Sequence, residues 1–323
     1  MAACTVQEND FVEPIAFSVA ATDTRTDASS LSDNTPGTRA NSTFIVGNAF
    51  HLSDGISVFG YYTEQAAFGD GTAHLPNFMY DQLVTKQDED TWTYAPLKYW
   101  PNGQDDKVTF YGYYPYGGTG ITLVTDNGTP GLPRFDFAVQ PYSHNEVDFM
   151  VSDVNADGMH ITAERTTTVT SRVQLLFHHA LSKVIVKVVD EENNPLPFTA
   201  TLIGLYAEGT CQSTTTSPVN WSNLHNTSVT FSTQIEDSES ERVFLLLPQA
   251  LRGGGTDPCM QFSYSYKGTP NTTEVIHLNT IDEATVWNPS KAYTYVYHVS
   301  NSGGSISVNV NPWYQAGMVF NNY

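Results

Sequence analysis

Apolar residues in this chain recur at every second position, and no stretch of ten residues carries a convincing helical spacing. Val173, Leu175 and Phe177 alternate, as do Val184, Val186 and Val188 with Lys183 and Lys187 on the opposite face. Ile306, Val308 and Val310 alternate strictly with Ser307 and Asn309. A period of two puts such side chains on one face of a pleated strand, so the chain is expected to be all-β. The composition agrees: 18 Tyr, 17 Phe and 5 Trp give 12% aromatics, against 15% charged residues where ~25% is usual.

The charge excludes one class of function. With 34 Asp+Glu against 14 Lys+Arg the net charge is −20, which is wrong for binding nucleic acid through phosphate neutralisation. The most apolar runs, Val243 to Pro248 and Val184 to Val189, have strand length and are bounded by charge or proline, so no membrane-spanning helix is expected.

At roughly 100–200 residues per domain, 323 residues suggest two domains, each able to bury its own core. Ile56 to Tyr62 and Val108 to Pro115 read as aromatic strands paired in one sheet, and Asp126-Asn127-Gly128 is a hairpin turn signal. Phe11 to Ala21 reads as a strand with Ile15, Phe17 and Val19 on one face, and Asp23 to Ser42 as a polar linker. A second sheet begins at Val184, and further strands are expected over 198–206, 227–231, 241–248, 261–266, 274–278, 293–299 and 306–310. The expected layout is a leader remnant over 1–10, a β-sandwich over 11–168 and a second over 169–323, joined near Thr166 to Ser171.

The three cysteines are Cys4, Cys211 and Cys259. Met1-Ala2-Ala3-Cys4 resembles the end of a bacterial lipoprotein signal, which makes Cys4 a lipidation site; on that reading the signal's apolar segment is missing from this chain, and the alternative is an ordinary N-terminus. Cys211 and Cys259 then form a possible disulfide in an oxidising compartment.

Catalytic motifs are not apparent, and the chain is expected to be neither an enzyme nor a cofactor binder. The adjacent His178 and His179 point to opposite faces of a strand and cannot chelate one ion together. Asp153, Asn155, Asp157 and Glu164 match a calcium-loop pattern, but His160 sits where an aliphatic residue belongs and the flanks read as strand, so an acidic turn is favoured. Trp92, Tyr94, Tyr99 and Trp100 form a sugar-stacking platform if exposed, with core packing the favoured alternative.

Several segments, in order over nearly the whole chain, resemble the fimbrillin family of Bacteroidales surface pilins, the FimA/Mfa-like proteins. They are Ile56 to Tyr61, Lys98-Tyr99-Trp100-Pro101 leading to Phe110 to Pro115, Asp148 to Val151, Val173 to Lys183, Leu246 to Gln249, and Trp287 with Lys291 to Tyr295. One departure is Pro289-Ser290-Lys291, where many members carry Pro-Gly-Lys. The resemblance implies two tandem transthyretin-like β-sandwich domains and a lipidated precursor exported to the outer membrane. It also implies a homopolymeric, adhesive fimbrium built by strand exchange after an Arg-specific protease removes an N-terminal strand. On that reading the cut in this chain is expected at Arg39, with Arg25 second, the alternative being that both are solvated linker charges, and the displaced strand carries Ile15, Phe17 and Val19. The donor is the C-terminal tail with Trp313, Met318 and Phe320, which alternatively completes its own domain. The other functional class is a monomeric glycan-binding lipoprotein or tip adhesin; no receptor is indicated.

Overall fold

The computed structural model describes residues 14–21, 50, 54–88, 91–101, 105–142, 147–159, 172–233 and 241–313, with the side chains of 157–159 left aside. Among them no α-helix forms, and one 3₁₀ turn spans Leu278–Thr280. The strands of the first part are β1 (Phe17–Ala21), β2 (Gly55–Glu64), β3 (Met79–Lys86), β4 (Trp92–Thr93) and β5 (Lys107–Tyr114). They are followed by β6 (Ile121–Leu123), β7 (Arg134–Ala138), β8 (Met150–Ser152), β9 (Asn155–Met159) and β10 (Val173–His179). Next come β11 (Ser182–Val189), β12 (Phe198–Ile203), β13 (Glu208–Gln212), β14 (Trp221–His225), β15 (Phe231–Ser232), β16 (Arg242–Leu246) and β17 (Gln249–Ala250). The last are β18 (Cys259–Tyr266), β19 (Thr269–Thr272), β20 (Ile276–His277), β21 (Val286–Trp287), β22 (Lys291–Ser300) and β23 (Gly303–Pro312).

The first sheet runs β1-β10-β8-β5-β2-β3-β4, with β9 also on β5. Its centre is β2 against β5, antiparallel from Ser57↔Tyr113 to Glu64↔Lys107, as the aromatic patterning suggests. β5 is buried from Val108 to Tyr114, which is why its sequence reads apolar at both parities. The parities separate onto two cores. Ile56, Val58, Val108, Phe110 and Tyr114 join Phe17, Leu175 and Phe177 on one face, while Phe59, Tyr61, Tyr111 and Tyr113 join a larger cluster on the other. Strand packing at this centre is close: a Cβ on Gly112 would lie 2.7 Å from the Ser57 carbonyl oxygen and 3.2 Å from the Phe177 ring.

A four-stranded sheet, β14-β13-β7-β6, covers the second face. The rings of Tyr113 and Phe135 stand 4.7 Å apart, Phe137 and Phe149 stack at 5.4 Å, and Trp221 lies 6.2 Å from both of the latter. Such aromatic pairs contribute beyond their buried area. The same cluster continues through Val184 and Phe244 of the sheet β16-β11-β22-β23, Met260 of the sheet β15-β12-β18-β19 and Trp287 of the two-stranded β17-β21 to Trp313. These stacked antiparallel and mixed sheets form the all-β sandwich architecture the sequence predicts.

Some strands are shorter than the sequence suggests. The junction at Thr166 to Ser171 lies outside the described residues, and β10, just after it, pairs with β8 and β1 in the first sheet. The chain leaves that sheet only at Ala180-Leu181, before β11 pairs with β16 and β22. The strand expected over 227–231 shrinks to Phe231–Ser232.

Candidate functional site

The first strand occupies a particular seat. β1 lies at the edge of the first sheet and pairs in parallel with β10, from Phe17↔Val173 to Ala21↔Phe177. Just before it, the Val173 amide donates to the Ala16 carbonyl at 2.8 Å and the Ile15 amide donates to the Lys98 carbonyl at 2.8 Å. The Tyr94 hydroxyl donates to the Ile15 carbonyl at 2.7 Å, and Pro14 bridges to Tyr99. The side-chain alternation read from the sequence holds: Ile15, Phe17 and Ala21 are each 1% exposed, and Val19 packs partly buried against the same cluster. The Phe17 ring meets Phe110 edge-on at 5.5 Å and Tyr94 at 5.6 Å. Burial of Ile15 and Phe17 stabilises by roughly 1.5–3 kcal/mol each. Burial also holds the Tyr94 phenol above its ordinary pKa, so it stays a hydrogen-bond donor through the neutral range.

The aromatic run that could have stacked a sugar builds this seat instead. Trp92, Tyr94 and Trp100 are buried in the cluster that Phe17 completes, and Tyr99 alone is exposed. Core packing, the favoured reading, is what the structure shows.

The other end of the described chain reaches the same strand, β10. β23 runs antiparallel to β22 over ten paired positions, Lys291↔Pro312 to Ser300↔Gly303. Trp313 follows it at 3% exposure, its indole stacked on the His179 imidazole at 4.0 Å with the ring planes 5° apart. Its amide donates to the Ser290 carbonyl at 3.3 Å, and the Lys183 ammonium stands 5.9 Å from its ring. Trp313 therefore completes its own chain's core, and among the donor-strand residues only Met318 and Phe320 remain for that role; both lie outside the described residues.

His178 and His179 do face opposite ways, each toward its own carboxylate. His178 Nε2 lies 2.9 Å from Asp153 Oδ1, and His179 Nδ1 lies 2.8 Å from the buried Asp148 Oδ1. Sequence reasoning missed Asp148 and Ser290 as partners of this cluster; the one signal was an acid directly before the apolar run Phe149 to Val151. The calcium-loop pattern is not a loop over its described part. Residues 155–159 form β9 on β5, Asp153 is bonded to His178, and the Asn155 side-chain amide donates to the Gln174 carbonyl at 2.9 Å. Glu164 lies outside the described residues, as do Cys4, Arg25 and Arg39.

The possible disulfide is not formed: Cys211 and Cys259 are both free. Cys211 sits on β13 opposite Phe135 and Trp221, whereas Cys259 sits on β18 opposite Ile203 and His277, in a different sheet. Burial pushes the Cys211 thiol up to about 12, the state of a structural thiol.

Fold and seat together define a class, an all-β protein of stacked sheets whose first strand is an edge strand inserted side chain first. Within that class the family can be stated. The sequence model of the fimbrillin-like family matches residues 38–313, and the chain belongs to that family. It is similar to a crystal structure of a candidate cell adhesion protein from Bacteroides ovatus, at 17% identity, a TM-score of 0.58 and coverage of 94% of this chain and 98% of that one. It is similar also to one from Bacteroides uniformis, at 14% identity, a TM-score of 0.57 and coverage of 93% and 99%. A fimbrial protein from Bacteroides vulgatus shares 17% identity at a TM-score of 0.54, over 80% of this chain and 92% of that one. At these identities the structures speak for the fold. No curated protein matches the chain. Family membership makes this a fimbrial or adhesion-type protein; it points to a structural role, a cell-surface fimbrial location and assembly with other fimbrial subunits.

Proposed function

We propose that the chain is a pilin subunit that polymerises by strand exchange, with β1 as the strand given up. The observation that supports this most is the seating of β1: an edge strand whose Ile15, Phe17 and Ala21 fill an aromatic core, joined to the body through residues 22–49. Both Arg25 and Arg39 fall in that connection, and a cut after either by an Arg-specific protease separates β1 from everything beyond it. Without β1, the β10 edge would carry unpaired main-chain groups above an exposed aromatic floor. Such an edge favours capture of an extended strand, which restores both the ladder and the side-chain plugs.

The donor is the tail beyond Trp313 of a neighbouring copy, with Met318 and Phe320 taking the places of alternate β1 side chains. Until the cut, the subunit is an exported lipoprotein held at the outer membrane through Cys4. Assembled, it forms an adhesive cell-surface homopolymer.

Limited trypsin digestion with N-terminal sequencing, followed by electrophoresis without boiling, tests this. A cut after Arg39 or Arg25 followed by a detergent-resistant ladder is the expected result. A cut product that stays monomeric, or a body that falls apart once cut, overturns polymerisation through this seat and favours a tip role.

A further inference from the structure

Asp257, Cys259 and His277 place three metal-ligating atoms within 4.8 Å of one another, at the beginning of β18. Cys259 and His277 are opposite partners in the antiparallel pairing of β18 with β20, which sets their side chains on one face of the sheet. Cys259 Sγ lies 3.4 Å from His277 Nδ1, and His277 Nδ1 lies 3.0 Å from Asp257 Oδ1. Tetrahedral zinc, with bonds of about 2.3 Å to sulfur and about 2.0 Å to nitrogen or oxygen, separates its S and N ligands by about 3.6 Å and its N and O ligands by about 3.3 Å. These two spacings need shifts of only a few tenths of an ångström; the Asp257 carboxylate and the Cys259 sulfur, within 4.8 Å of each other, close up as the thiol gives up its bond to the Asp257 main-chain carbonyl.

Local structure fixes two of the three ligands before any ion arrives. The Leu278 amide donates to the Pro258 carbonyl at 2.8 Å, tying the Asp257-Pro258-Cys259 segment to the strand that carries His277. The Asn279 side-chain amide donates to Asp257 Oδ1 at 3.2 Å, the kind of outer contact that orients a ligating carboxylate. Gly204, at φ +73°, runs so close beneath that a Cβ there would collide with the Asp257 carbonyl. Asp257 and His277 are exposed while Cys259 is buried, so an ion can enter from solvent and end against the sulfur.

A nucleophilic thiol–imidazole–carboxylate relay is the competing reading, and the geometry disfavours it. In a relay the imidazole uses its two nitrogens for two different partners. Here sulfur and carboxylate converge on the same Nδ1. Burial and the nearby Asp257 charge also raise the Cys259 thiol above its ordinary pKa, the opposite of an activated nucleophile.

We propose that Asp257, Cys259 and His277 form a binding site for a divalent transition metal of the zinc class, with solvent as the fourth ligand. A thiolate, a carboxylate and a neutral imidazole sum to two negative charges against a divalent cation, and the thiolate–imidazole set suits zinc rather than calcium or magnesium. On binding, the S–H bond breaks, its proton passes to solvent and a metal–sulfur bond forms. Bound metal clips β18 to β20 and stabilises the folded chain by mass action. This site is separate from the β1 seat and stands or falls independently of strand exchange.

The test is titration of the purified full-length chain, stripped with a chelator, with cobalt(II) alone. A thiolate-to-cobalt charge-transfer band saturating at one cobalt per chain, and displaced by zinc, is expected. Cys259→Ser abolishes the band, and His277→Gln, at an exposed position that leaves the thiol in place, weakens binding by about 100-fold or more, since losing even an outer-shell partner costs 10–100-fold. A Cys4→Ser/Cys211→Ser double variant keeps the band in full. The proposal fails if micromolar cobalt gives no band, if the band survives in Cys259→Ser or is unchanged in His277→Gln, or if it disappears from the double variant.

Discussion

β1 and the β23–Trp313 segment both dock on β10, and they are held in opposite ways. β1 pairs over five positions in parallel, with no hairpin to either neighbour, and is held by buried side chains. β23 pairs over ten positions in a hairpin with β22 and is largely exposed along its length, with Trp313 as a terminal anchor on His179. A hairpin strand that frays finds its partner again at once, because its loop is short. A strand joined through residues 22–49 has no such advantage, and any strand with the same alternation can compete for its place. If the chain polymerises by strand exchange as proposed, β1 is the replaceable element and β23 the fixed one.

The largest expected effect asks whether the body needs β1 at all. Tyr61, Tyr111, Tyr295 and Cys211 all belong to the larger cluster, away from the β1 seat, and burial raises the pKa of each. Because the folded values lie above the unfolded ones, this stability is fully present below about pH 9 and is lost as pH rises, when the unfolded thiol and phenols release protons that the folded ones keep. Each such group costs about 1.4 kcal/mol per pH unit above its unfolded pKa. Urea midpoints between pH 8 and pH 11 should fall over the same window in intact and linker-cut chains. A different window after the cut means the body depends on β1.

Next in size is Phe17→Ala, expected to lower the stability of the uncut chain by about 3–5 kcal/mol through lost burial and the cavity beside Phe110 and Tyr94. In multimers formed after the cut the same substitution should be silent, because β1 is then absent. Trp313→Ala should cost about 3 kcal/mol in both forms. It should speed exchange of the Asn309 and Asn311 amides, which face β22, while leaving β1 unchanged. An equal effect of Phe17→Ala before and after assembly would show that β1 stays in its seat.

Much of this comparison is legible in the sequence, and the remainder is hidden for physical reasons. The alternation of Ile15, Phe17 and Val19, and the aromatic patterning of β2 and β5, follow from one local period and are read directly. The partner of β1 is not, because residues more than 150 positions away supply β10 and no local pattern encodes a parallel pairing of that range. β9 reads as a turn because Asn155-Ala156-Asp157-Gly158 has turn composition, and only the β5 edge makes it a strand. Trp92 and Trp100 announce aromatic surface but not which side of it is covered. The cysteine count suggests a pair, while the placement of Cys211 and Cys259 on different sheets depends on the tertiary fold. The Asp257, Cys259 and His277 cluster is invisible for the same reason, since His277 lies 18 residues beyond Cys259 and meets it only across the β18–β20 pairing.

The smallest effect isolates the one polar latch on β1. Tyr94 Oη donates to the Ile15 carbonyl at 2.7 Å and lies 3.3 Å from the Lys98 carbonyl, so one hydroxyl fastens the start of β1 to the segment beside it. Tyr94→Phe keeps the ring against Phe17 and removes only the hydroxyl, which should cost about 1 kcal/mol. If β1 opens locally, that loss appears as roughly fivefold faster exchange of the Ile15 amide, which donates to the Lys98 carbonyl, with exchange in β23 unchanged. If β23 speeds up as well, the two strands open together through β10, and the distinction between a replaceable strand and a fixed rail is lost. If neither responds, Ile15 and Phe17 hold β1 through burial alone, and a donor strand then needs only matching side chains and no partner for Tyr94.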